Sequence, residues 1–162
     1  MITQKQTVSL LNAENLSLVA ELPHSLELVA KDILMGAIFI GNNVLSWSKN
    51  KMFLWKLDSL KIVQKFISDA TIIDISKIPE CKKNAFAVLL NFKTAKIHFY
   101  LIESEKRLSK IFEKQFSQKA SEFNNNKLII KRSEENICDF LFLSNSVTLI
   151  KTCVDIEEKF DI

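Results

Sequence analysis

The feature that most constrains this chain is a pattern returning at 44 to 45 residues, because a repeat of that length limits the architecture before any single element is assigned. It is clearest in residues 42–66, "NNVLSWSKNKMFLWKLDSLKIVQKF". Met52 and Leu54 alternate with Phe53 and Trp55, which is the period of a strand; the polar turn "KLDS" follows, and "LKIVQKF" forms a second short strand. Forty-four positions earlier, "VSLLNAENLSLVAEL" falls into register. Val8 lands on Met52, Leu10 on Leu54, Leu11 on Trp55, Leu16 on Leu60, Leu18 on Ile62, Val19 on Val63 and Leu22 on Phe66, with "NAEN" in place of "KLDS". Forty-five positions later, "KIHFYLIES" places Ile97 on Met52, Phe99 on Leu54 and Tyr100 on Trp55, and "RLSKIFEKQF" closes the unit after a slightly longer turn.

The strands before each hairpin recur as well. "NNVLSWS" (42–48) precedes the turn "KNK", and "FAVLLNF" (86–92) precedes "KTAK". Upstream of these, "ELVAKDI" (27–33) and "TIIDISKI" (71–78) are the candidate inner strands. The unit is therefore about four short strands joined by polar turns, and the predicted class is all-β. Residues 1–116 hold the repeated units, 117–127 read as a polar, Asn-rich loop, and 128–162 supply further strands of the same domain (127–132, 137–144 and 146–156). One segment supports an alternative. Leu108, Ile111, Phe112 and Phe116 also fit the spacing of an amphipathic helix, which would suit a small β-barrel or PH-like fold capped by one helix around 103–123.

Period and strand count resemble those of a β-propeller blade of the WD-repeat type in degenerate form, with an aromatic ending the third strand (Trp55, Tyr100), then a polar turn, then a fourth strand such as "LKIVQKF". The Gly-His dipeptide of that family is missing from every unit, and its Trp-Asp reads Trp55-Lys56 in one unit and Tyr100-Leu101 in another. The resemblance implies a partial propeller-like array of about three four-stranded antiparallel blades. Closed propellers have about four to eight. Three resolutions follow: a piece of a longer propeller, completion by another chain of the same or a different kind, or the smaller closed fold.

Composition narrows the function classes. With 48% hydrophobic and 25% charged residues the chain is globular, and 12 Phe against one Tyr indicate buried aromatics. Its 22 basic and 19 acidic residues are interspersed, so a net charge of +3 creates no strong field for polyanions. Cys81, Cys138 and Cys153 are odd in number and never in CxxC spacing, which argues against disulfides or a zinc site and for a reducing compartment. The N-terminus lacks a signal-peptide pattern, and the most apolar run, 33–41, is too short to span a bilayer. The expected location is the cytoplasm or nucleus. The only glycines, Gly36 and Gly41, share that run, so no phosphate-cradling loop is present.

Reactive side chains carry no catalytic pattern. His24 and His98 have no carboxylate beside them in sequence to orient an imidazole, and Asp69, Asp74, Asp139 and Asp155 stand singly. Cys138 and Cys153 read as core residues, and Cys81 as a loop thiol beside Lys82 and Lys83. No enzyme, cofactor, metal or catalytic residue is read. The resemblance implies instead a protein–protein interaction scaffold, a subunit of a larger eukaryotic-type assembly of trafficking, ribosome biogenesis or nuclear architecture. Its candidate interaction surface is Phe53, Trp55 and Phe99 with the turn lysines Lys49, Lys51, Lys93 and Lys96. Its partners would be other protein subunits completing the propeller or binding its faces, with a homo-oligomer as one form. Two rival roles use the lysines: an anionic-lipid or phosphoinositide-binding module, and a nucleic-acid-associated subunit.

Overall fold

A computed structural model describes residues 2–4, 7–23, 32–79, 84–92, 94–103, 107–119, 128–132, 137–143 and 149–155. The chain divides into two compact units, Met1–Asp69 and Ala70–Ile162. The described residues are strands and turns with no helix.

The first unit holds β1 (Ile2–Gln4), β2 (Thr7–Leu11) and β3 (Leu18–Pro23) in one antiparallel sheet. Its second sheet runs β4 (Leu34–Ile40), β5 (Asn43–Ser48), β6 (Lys51–Lys56) and β7 (Lys61–Ile67), each strand bonded to its sequence neighbour. The two sheets pack face to face through Val8, Leu10 and Leu22 on one side and Leu34, Val44, Phe53 and Trp55 on the other. Strands β5 and β6 are buried on both faces; the centre of β6, Met52–Trp55, is a continuous apolar run, while β5 buries Asn43, Ser46 and Ser48 among its apolar residues.

The second unit repeats the scheme. Strands β8 (Thr71–Lys77), β9 (Asn84–Asn91), β10 (Thr94–Ile102) and β11 (Leu108–Lys119) form a four-stranded antiparallel meander. Strands β12 (Ile129–Arg132), β13 (Ile137–Leu143) and β14 (Leu149–Asp155) form a three-stranded sheet. Ala87, Leu89, Ile97, Phe99 and Phe116 pack with Leu128, and the Leu128 N–H donates to Asp74 Oδ2 at 2.8 Å. Asp74 thus anchors the entry of β12 to β8.

The repeat is visible at the level of single dihedrals and hydrogen bonds. Leu16 and Leu60, 44 residues apart, both take left-handed backbone (φ 58° and 54°). Each donates its N–H four residues back, to Asn12 O at 3.0 Å and to Lys56 O at 2.9 Å. That conformation costs an ordinary residue about 1–2 kcal/mol, so finding it twice at matching positions marks one turn geometry used twice. In the first turn the Asn12 carboxamide also accepts from Glu14 N–H at 2.8 Å. Directly beyond lies a β-bulge. Leu10 faces Ala20 and Leu11 faces Leu18, skipping Val19; Leu54 faces Gln64 and Trp55 faces Ile62, skipping Val63; Phe99 faces Phe112 and Tyr100 faces Lys110, skipping Ile111. All three skipped residues are exposed and β-branched.

Two expectations change. The inner strand of the second sheet is Leu34–Ile40, not residues 27–33; Asp32 and Ile33 precede it, and 24–31 lie outside the described residues. The apolar run carries the strand because Gly36 lets the Trp47 ring lie directly across β4, where a Cβ would collide with it, and Gly41 supplies the positive φ (56°) of the turn into β5. The helix around 103–123 is replaced by β11, whose bulge at Ile111 interrupts the two-residue alternation and so imitates helical spacing.

Candidate interaction surface

Phe53, Trp55 and Phe99 are interior residues. Phe53 and Phe99 have no exposed surface, and Trp55 is buried beside Val44 and Phe53. Their apolar area is already used within each unit, so none of them presents a surface to a partner. Trp55 is tied further: its Nε1–H donates to the buried Ser46 Oγ at 2.9 Å across β5–β6. Val88 occupies the place of Ser46 in the second unit, and Tyr100 there stacks on Phe86 instead, with ring centroids 5.4 Å apart. The aromatic near the end of the third strand therefore packs inward in both units, held by a hydrogen bond in one and by a ring stack in the other.

The lysines differ among themselves. Lys49 is exposed, whereas Lys51 Nζ lies 2.6 Å from Asp32 Oδ2 in a partly buried ion pair. Lys96 Nζ lies 3.2 Å from Glu113 Oε1 and 5.1 Å from the centre of the Phe92 ring. Lys93 lies outside the described residues, as do His24, Cys81, Lys82 and Lys83. Lys51 and Lys96 are thus each neutralised by a carboxylate, which weakens the basic rim that lipid or nucleic-acid binding would use.

Glu113 is the centre of a polar cluster that sequence spacing did not reveal. It faces His98 across the β10–β11 ladder and receives Lys96, together with Lys110 Nζ at 2.9 Å from Oε2. Hydrogen bonds from Lys110 and Lys96 hold its carboxyl well below the usual range, at about 2. His98 is buried, and its Nε2 lies 3.1 Å from Glu113 Oε2 but outside hydrogen-bonding geometry. Burial, then the charge of Lys110, pushes the imidazole pKa below its ordinary value. Tyr100 is raised to about 12, first by burial and then by Glu113. The Lys96–Glu113 ion pair ties β10 to β11, with the neutral imidazole buried beside it. The signal that could have found it is the register itself, since His98 and Glu113 pair only once the turn length and bulge are known.

Among the exposed large apolar residues, five recur at equivalent positions. Val19 (66% exposed), Val63 (40%) and Ile111 stand at equivalent bulges on three outer strands, and Leu16 (71%) and Leu60 at equivalent turns.

No protein-family model matches the sequence, and none of the curated proteins does. Among solved structures, the Saccharomyces cerevisiae core factor is similar with a TM-score of 0.50 at 12% identity, over 93% of this chain and 26% of that one. This likeness bears on the fold alone, and it agrees with the repeated four-stranded meanders. The fold is a partial β-propeller-like array of antiparallel blades. The WD40 domain of SCAP from fission yeast also matches, with a TM-score of 0.49 at 13% identity, over 75% of this chain and 31% of that one. The propeller-like chain spans about a quarter to a third of the length of these solved chains.

Proposed function

We propose that the chain is a non-enzymatic protein–protein interaction scaffold, cytoplasmic or nuclear, serving as a subunit of a larger eukaryotic-type assembly in trafficking, ribosome biogenesis or nuclear architecture. The observation that carries this reading is the outward apolar residue repeated at the same bulge of three outer strands, Val19, Val63 and Ile111. Bulges re-aim side chains, and apolar ones aimed at water along successive strands suit burial against other proteins. The charged side chains support it too, because Glu113, Lys96 and Lys51 are engaged with one another or with Asp32.

The test is affinity purification of the tagged chain from its native cells, set against a Val19→Lys/Val63→Lys/Ile111→Lys variant. These positions are exposed, so the variant should keep the circular dichroism spectrum of the parent while losing specific co-purifying proteins. An unchanged set of bound proteins would refute the reading.

A further inference from the structure

We infer that the chain associates with a second copy of itself head to tail, with β3 of one copy lying antiparallel along β7 of the next. This rests on the reading of the outer strands as interaction surface and names one occupant for it. Strands β3 and β7 are each the last strand of their sheet. They share the same preceding turn and the same bulge, at Val19 and Val63, so their edges have matching curvature. Both expose apolar side chains: Leu18 and Val19 on β3, Val63 and Ile67 on β7.

Their charges are opposite. From Thr7 to Pro23 the only charged residues are Glu14 and Glu21, whereas β7 carries Lys61 and Lys65. Glu21 and Lys61 are exposed, and neither has an ion-pair partner among the described residues. An antiparallel register that sets Val19 opposite Val63 sets Glu21 opposite Lys61. The same register applied to β7 against β7 opposes Lys61 to Lys65 twice, and applied to β3 against β3 opposes Glu21 to Ser17 with no ion pair. Like charges directly opposite destabilise a strand pair and unlike charges stabilise it, so the mixed pairing is the favoured one. Because this contact joins two different edges, it leaves one β3 and one β7 unoccupied and extends as an open chain.

The experiment is sedimentation velocity of the purified full chain over a wide concentration range. The wild-type mass should rise with concentration beyond that of a dimer, and less so at high salt. Glu21→Lys or Lys61→Glu alone should raise the dissociation constant about tenfold, and the two together in one chain should restore it. Both sites are exposed, and thermal melts check that each variant is folded. A mass independent of concentration, single variants that associate like wild type, or a double variant that stays as weak as the singles would each overturn the inference. A chain that stays monomeric yet loses other proteins through the Val19, Val63 and Ile111 changes would leave the scaffold reading standing.

Discussion

Gly36→Ala isolates the contact that makes residues 34–40 a strand. A Cβ placed on Gly36 falls 2.5 Å from Cη2 and 2.9 Å from Cε2 of Trp47, and closer still to Cζ2. Carbon atoms in contact rest at about 3.5–4.0 Å, so the indole must move by roughly 1 Å. Trp47 is buried on a strand whose residues are all buried, which leaves the ring little room to give way. Overpacking of this kind costs about 1–3 kcal/mol. The alanine also restricts the unfolded chain, returning about 0.4–1 kcal/mol. The expected net loss is about 1–2 kcal/mol, read from urea denaturation followed by circular dichroism. The control is the same change in a Trp47→Leu background. There the obstruction is gone, and Gly36→Ala should be neutral or mildly stabilising. Equal costs in both backgrounds, or no cost in the wild type, would refute the reasoning.

Other outcomes follow from the same structure. Leu16→Gly and Leu60→Gly should each stabilise the chain by about 0.5–1 kcal/mol by relieving left-handed strain, additively since the sites are distinct, as denaturation midpoints will show. Trp55→Phe should cost about 0.5–1.5 kcal/mol by removing the buried hydrogen bond from its indole N–H to Ser46 Oγ, as urea denaturation will show. Acid should destabilise the fold in two windows. The folded-state pKa of His98 lies below its ordinary 6.5, so the unfolded chain takes the proton first and stability falls as pH drops below about 6.5, a dependence that His98→Gln should flatten. Glu113, depressed from 4.5 to about 2, contributes stability above pH 4.5 that is lost between 4.5 and 2, modestly because its carboxylate is partly exposed.

The sequence carried the repeat because turns and apolar positions recur at fixed spacing: the register that set Leu16 on Leu60 and Val19 on Val63 joins residues with the same backbone and the same bulge. It misled where one residue type had two physical explanations. The inner strand is expected on 27–33, whereas the apolar run beginning at Leu34 carries it, because Gly36 lets the Trp47 ring lie across that strand. The candidate surface was legible only in part. Phe53, Trp55 and Phe99 are large and apolar, which suits a core and an interface equally, and only packing distinguishes the two. Glu113 reaches His98 through a pairing fixed by a bulge, and bulges leave no residue-level signature strong enough to set register.

The central claim is that one blade geometry is repeated, and nuclear Overhauser contacts in solution test it most directly. Cross-strand contacts should join Leu10 to Ala20 and Leu11 to Leu18, Leu54 to Gln64 and Trp55 to Ile62, and Phe99 to Phe112 and Tyr100 to Lys110, with Val19, Val63 and Ile111 skipped each time. Helical i to i+3 contacts through 108–116, or an unbulged register in any of the three hairpins, would contradict it.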